Sequence, residues 1–260
     1  MDLIAWIETN DRLVDWGLFA EPWDSMQLRH NPFRTEQIDA MLSGSGILDK
    51  EQPYVLDLGC GPGILGGRIN SARPNAHYVG ADGDPLMLAA ARHLLTGVNV
   101  ETQLVDLRGT EWTKGLADHF DSVVSLTALH WLSQVHQRVL YEAVFQTLKP
   151  GGTFMVGDPY QPEDLVDKRK LQSQQEQLID KQDGRSWTEF WETFFSKYAV
   201  QEIYVDYHKG KGYQEPFEGS EEGYSLSFQM KALHDAGFAR TTVYWKKGLR
   251  AVYGGSKPDR

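Results

Sequence analysis

The sequence predicts a doubly wound α/β sheet with a ligand at the carboxyl ends of its parallel strands. Three observations lead there. Short apolar runs alternate with helical stretches through the middle of the chain. The first run, Tyr54-Val55-Leu56-Asp57-Leu58, breaks into a loop with glycines at 59, 61 and 63. The second run, His77 to Ala81, also closes on an acid, Asp82.

Each element has its own local reason. Glycines 59, 61 and 63 let the backbone turn tightly and bring a ligand close to main-chain N–H groups, at the positive end of a helix starting near Ile64. Pro85 to Leu95 is rich in Ala and Leu and reads as the next helix. Asn99 to Val105 reads as a third strand ending in Asp106. His136 to Leu148 has apolar residues at helical spacing, and Lys149-Pro150-Gly151-Gly152 stops it before a strand over Thr153 to Val156.

The ligand reads as a nucleotide-like cofactor. Gly61-Pro62-Gly63-Ile64-Leu65-Gly66 fits the G-x-G-x-x-G pattern of dinucleotide-binding proteins, so NAD(P) chemistry is one alternative. Against a pyrophosphate stand Asp57, a negative charge just before the loop, and Pro62, which removes an N–H. Both suit a cofactor carrying an ammonium and a sulfonium. A carboxylate at Asp82 can accept both hydroxyls of a ribose, which either cofactor has, and Asp106 can accept from an adenine amino group.

With these residues the chain resembles the class I S-adenosylmethionine-dependent methyltransferases. The motifs are VLDLGCGPG (55 to 63), VGADGDPLML (79 to 88), VDL (105 to 107), FDSVVSLTALHWL (120 to 132) and LKPGGTFMVGD (148 to 158), in the family's order. LHDAGFARTTVYWKKGLRAVYGGSK (233 to 257) is similar to the closing helix and terminal antiparallel strand pair of that fold. More loosely, the L-[HQ]-W ending the fourth strand resembles trans-aconitate and juvenile hormone acid methyltransferases. The resemblance implies a seven-stranded Rossmann-like sheet with its last strand antiparallel, and S-adenosyl-L-methionine as cofactor with S-adenosyl-L-homocysteine as product. It also implies that Asp57, Gly59, Cys60, Gly61, Gly63, Asp82, Gly83, Met87, Asp106, Leu107, Leu126 and Thr127 hold that cofactor.

One domain is expected over 1–260, made of an N-terminal helical cap (1–50), a cofactor-binding core (51–158), a lid insertion (159–226) and the closing helix and strand pair (227–260). Glu163 to Asp183 is a polar, Gln-rich helical stretch, and Trp187 to Tyr198 a helix crowded with aromatics; together they read as a helical, aromatic lid that excludes water. Trp6, Trp16, Trp23, Phe19 and Phe33 in the cap read either as lid packing or as an aromatic acceptor pocket with His30 and Arg34 at its mouth. Arg29 and Arg34 can pair with a substrate carboxylate or stay solvated.

His130, at the end of the fourth strand, is the first candidate for a general base; packing against the cofactor or a backbone partner is the alternative. Trp131 and Tyr160 join Trp23 and His30 as candidate pocket residues, Trp131 because an aromatic face attracts a sulfonium. His136 and His208 are weaker candidates. Cys60, the single cysteine, reads as a small buried side chain rather than a nucleophile.

A net charge of −10, from 36 acids against 26 Lys plus Arg, argues against nucleic acid as a substrate; the cluster Lys209, Lys211, Lys246, Lys247 and Arg250 reads as a solvated lid and sheet edge, with a phosphate site as the alternative. No Cys/His cluster has metal-ligand spacing, and no apolar run reaches the ~20 residues of a membrane span. The expectation is a cytoplasmic enzyme, monomeric or homodimeric, that methylates a small molecule on oxygen, nitrogen, sulfur or carbon. A protein that only binds the cofactor is the other alternative.

Overall fold

The computed structural model describes residues 1–95, 99–179, 185–211 and 219–259. Seven strands form one sheet: β1 (Tyr54–Leu58), β2 (His77–Asp82), β3 (Asn99–Leu104), β4 (Phe120–Leu126), β5 (Leu148–Pro159), β6 (Ala239–Lys247) and β7 (Arg250–Ser256). Their order is β3-β2-β1-β4-β5-β7-β6. The first five run parallel, and β7 is antiparallel to both β5 and β6. The expected Rossmann-like sheet with an antiparallel last strand is therefore present. The order in which strands are added reverses between β1 and β4, so the carboxyl ends of those two parallel strands open the crevice where such sheets take ligands.

The helices are α1 (Leu3–Asn10), α2 (Glu21–His30), α3 (Arg34–Gly44), α4 (Ile64–Ala72), α5 (Pro85–Leu94), α6 (Gln134–Thr147), α7 (Leu165–Ile179), α8 (Trp187–Tyr198), α9 (Gln201–Gly210) and α10 (Leu226–Asp235). Their starts follow local chemistry: Asp84 caps α5 with Pro85 behind it, Ser133 caps α6, and Ser186 with Glu189 forms a capping box on α8. The buried run on β4 and β5 fills the core together with Tyr141, Leu233 and Tyr253. Fully burying side chains of this kind contributes about 1.5–3 kcal/mol each.

Several boundaries differ from expectation. β5 is longer than Thr153 to Val156 because it pairs on both sides: Leu148 sits beside Phe120 of β4, and Pro159 beside Arg250 of β7. The expected helix over 163–183 runs from Leu165 to Ile179, and its last four expected residues lie outside those described. Helix α9 was not separated from the lid by sequence reasoning. It follows α8 after Ala199, whose φ of 50° turns the chain.

The N-terminal 50 residues do not behave as one cap. Helices α1 and α2 join α8 and α9 in a single aromatic cluster in which Phe19 and Trp23 pack on Phe190 and Trp191. Helix α3 instead lies on the sheet, where Gln37 donates to the Ala251 carbonyl at 3.0 Å. Helices α1, α2, α8 and α9 thus share one aromatic cluster, while α3 packs on the sheet.

Candidate active site

The loop after β1 is built around Asp82. Its Oδ2 accepts from the Gly61 N–H at 2.8 Å and its Oδ1 from the Asp84 N–H at 2.9 Å, so one carboxylate ties the glycine loop to the turn after β2. Gly59 has φ 67°, and a Cβ there would stand 2.4 Å from the Ala128 Cβ; only glycine lets the loop pass the end of β4. Gly63, at φ 85°, opens α4. Cys60 is buried, and burial beside Asp82 and Asp57 pushes its thiol well up, which keeps it protonated.

Asp57 is 1% exposed at the end of β1. Its Oδ2 accepts from the Tyr78 hydroxyl at 2.7 Å, while its Oδ1 is buried with no partner among the described residues. Burial pushes the Asp57 carboxyl up to about 7, against the opposing pull of Tyr78 and Arg34. Desolvation with the nearby charge of Asp84 raises Asp82 to about 6. Two desolvated carboxylates at the ends of neighbouring strands, one with an oxygen unpartnered among the described residues, fit a ligand that brings a cation and hydroxyl donors.

The rest of the ridge lies on the neighbouring strands. Leu126 ends β4, and Thr127 takes φ 57°, unusual for a branched residue, with its N–H held by the Gly157 carbonyl at 2.8 Å. Met87 is buried in the first turn of α5, and Leu107 packs against the main core. Gly83 sits between Asp82 and Asp84. Asp106 is exposed beyond β3, with its carboxylate on Arg108 at 2.6 Å; an adenine amino group would share it with that arginine.

His130 lies in a short 3₁₀ turn after β4 and is 4% exposed. Its Nδ1 is 2.9 Å from Asp158 Oδ1, and its backbone N–H donates to Asp158 Oδ2 at 2.9 Å. With Nδ1–H on the carboxylate, Nε2 is the basic nitrogen. Trp131 is half-buried against the His130 ring, and Tyr160 is buried with its hydroxyl on the Gly248 carbonyl. A strap crosses these residues: Ser220 N–H donates to the His130 carbonyl at 2.9 Å, and Gly219 N–H to that of Trp131 at 3.0 Å.

Other expected residues are placed elsewhere. Trp23, offered for the acceptor pocket, is packed into the aromatic cluster between Phe19, Trp187 and Phe190. Arg34 is not at a pocket mouth or in solvent: it is 5% exposed, ion-paired with Asp24 at 3.1 Å, and reaches Thr127 Oγ1 at 3.4 Å. His30 is half-buried with an orphaned Nε2; burial, Arg250 and Arg29 lower its pKa. His136 meets Ser133, and His208 stands 3.5 Å from Asp84.

Sequence reasoning missed Asp84, Tyr204 and Asp158, and placed Arg250 in a basic cluster without its burial beside His30. Asp84 both caps α5 and accepts from the Tyr204 hydroxyl of α9 at 2.6 Å, which latches the lid to the loop after β2. The D-G-D-P string carried a signal for Asp84, since Asp before Pro is a helix start. Asp158 and Arg250 acquire meaning only when β5 and β7 pair. No group of metal-holding side chains occurs among the described residues, and no described helix is long and apolar enough to cross a membrane.

A methyltransferase-domain family model matches residues 55–152. The trans-aconitate 2-methyltransferase of Streptomyces coelicolor is 30% identical over 145 residues, 54% of this chain and 46% of that protein. The enzyme of the same name from Sinorhizobium fredii is 40% identical over 103 residues, 40% of this chain and 37% of that one. The matched part thus spans less than half the length of either relative. In fold, the chain is similar to an O-methyltransferase family protein from Burkholderia thailandensis, with TM-score 0.58 at 17% identity over 86% of this chain and 56% of that one. It is also similar to human N-acetylserotonin methyltransferase, with TM-score 0.53 at 16% identity over 97% of this chain and 62% of that one.

Proposed function

We propose that this chain is a class I S-adenosylmethionine-dependent methyltransferase, with S-adenosylmethionine as its cofactor, and that it transfers a methyl group to a small-molecule acceptor in a lidded pocket. The observation that carries the reading is the buried, unpartnered Asp57 Oδ1 beside the glycine loop that Asp82 organises. When bound, the cofactor supplies a methyl group on a positively charged sulfur, which an acceptor atom displaces in line.

The chain's own residues then have distinct tasks. Asp57 holds the ammonium with its free oxygen, and Asp82 accepts from the ribose hydroxyls. Gly59, Gly61 and Gly63 give the backbone close approach, while Leu126, Thr127 and Met87 line the groove. His130, oriented by Asp158, accepts a proton at Nε2 where the acceptor atom arrives protonated. Trp131 offers its face to the sulfonium. The body of α1, α2, α8 and α9, latched through Tyr204 and Asp84, keeps water out, so alignment in a dry pocket supplies much of the rate.

A small acceptor agrees with the name of the relatives, trans-aconitate being a small metabolite, and with the strongly acidic charge, which disfavours nucleic acid. The test is release of S-adenosylhomocysteine from the purified protein given S-adenosylmethionine and a panel of small metabolites. Acceptor-dependent release supports transfer; retention of the cofactor with no release from any panel member favours a protein that only binds it.

A further inference from the structure

We infer that Arg250, with His30, forms an anion-receiving site for a negatively charged group on the acceptor, separate from the cofactor groove. The inference rests on the reading of this crevice as a methyl-transfer site and names the chemical class of its second substrate.

Arg250 begins β7, opposite Pro159 at the end of β5, and is mostly buried between them and α2. Its Nη2 donates to the His30 carbonyl at 3.1 Å, which fixes the guanidinium plane. Its Nε is buried with no hydrogen-bond partner among the described residues, and so is Nε2 of His30. The charge has no ion pair among the described residues either. Asp158 is the acid that acts on it, and both oxygens of Asp158 are engaged by His130.

An isolated buried cation is costly, and Arg presents its donors in a plane suited to two oxygens of one carboxylate. The surroundings reinforce the sign. Lys246 lies 5.6 Å from the Tyr160 ring centroid, and Arg34 and Arg29 act electrostatically on Arg250 and His30 respectively. His30, whose pKa burial, Arg250 and Arg29 lower, presents its Nε2, unpartnered among the described residues, beside the guanidinium. Arg34 is paired with Asp24 and Asp158 with His130, so Arg250 is the cation here whose buried Nε has no partner among the described residues.

The cofactor's own carboxylate is not the occupant. Arg34 is the arginine whose charge acts on Asp57 and whose Nη1 reaches Thr127, and it is already paired with Asp24. Arg250 is three strands further along the sheet than β1, beyond β4 and β5, on the side of His130 and Tyr160. An acceptor anchored there by its anion is held beside the His130–Asp158 pair.

The test uses the full chain saturated with S-adenosylhomocysteine. Acetate, benzoate and succinate are titrated beside acetamide, benzamide and succinamide, with binding read by thermal shift and calorimetry. The expected result is that acids bind about tenfold or more tightly than their amides. Arg250→Gln is expected to abolish that preference, Arg250→Lys to keep part of it, and both to bind S-adenosylhomocysteine with wild-type affinity. No acid preference in any pair on the wild-type protein overturns the inference, without need of a variant. So does a loss of S-adenosylhomocysteine affinity in Arg250→Lys equal to its loss for the acids, which would assign Arg250 to the cofactor's carboxylate. Wild-type protein that binds S-adenosylhomocysteine but shows no acid preference leaves the methyl-transfer reading standing; failure to bind S-adenosylhomocysteine at all removes both.

Discussion

Cofactor affinity is expected to fall in mild acid because Asp57 must be ionised to hold an ammonium. In the free protein the Asp57 carboxyl is pushed up to about 7 by burial, and the groups facing it are Tyr78, which donates to it, Asp82, which raises it further, and Arg34, which lowers it. With that value roughly one molecule in eleven is ionised at pH 6, so affinity for S-adenosylhomocysteine drops about tenfold from its level above pH 8, or ~1.4 kcal/mol. Asp82, at about 6, adds up to a further factor of about two at pH 6. The same shifts act on folding in the opposite sense. The free folded protein keeps protons that the unfolded chain releases above its ordinary carboxylate pKa, so stability declines as pH rises toward 7 and the cofactor restores it. Calorimetry in buffers of different ionisation enthalpy reads both affinity and protons released. Release of about one proton from Asp57 near pH 6, with up to about half a proton more from Asp82, is expected, and Asp57→Asn is expected to remove the larger part. Constant affinity from pH 5.5 to pH 8 would refute the reasoning.

Other substitutions separate the parts of the site. Gly59→Ala places a Cβ 2.4 Å from that of Ala128 at a φ of 67°, and is expected to lower Tm and to remove cofactor binding in calorimetry. Asp82→Ala removes hydrogen bonds to a charged group worth roughly 1.5–3 kcal/mol of cofactor affinity; unchanged affinity would take Asp82 out of the site. His130→Ala is expected to leave S-adenosylhomocysteine binding unaltered while slowing turnover of a protonated acceptor by about 10² or more, and an unchanged rate would make it a packing residue. Tyr204→Phe breaks the latch to Asp84 and is expected to speed cofactor release in stopped-flow measurements.

The parallel half of the fold was legible because each strand and loop carries its signal locally: an apolar run, glycines or an acid at its end, then a helix start such as Asp84-Pro85. Asp57 and Asp82 could be placed at the ends of neighbouring strands from those local signals, whereas Thr127 was carried by the family resemblance alone. What was hidden depends on contacts remote in sequence. Arg250 reads as a solvated sheet-edge residue until β7 inserts between β5 and β6 and sets it against His30. Trp23 reads equally as lid packing or pocket wall, and only α8, far along the chain, supplies the rings that place it in packing. Arg34 shows why: a long cationic side chain looks solvated in sequence, and only the fold provides Asp24 and Thr127 as partners.

Titration of the purified protein with S-adenosylmethionine, S-adenosylhomocysteine and NADH, with mass spectrometry of any copurifying ligand, tests the central claim most directly. Micromolar binding of the first two with none of NADH is the expected result; binding of NADH alone would contradict the account and move the chemistry to hydride transfer.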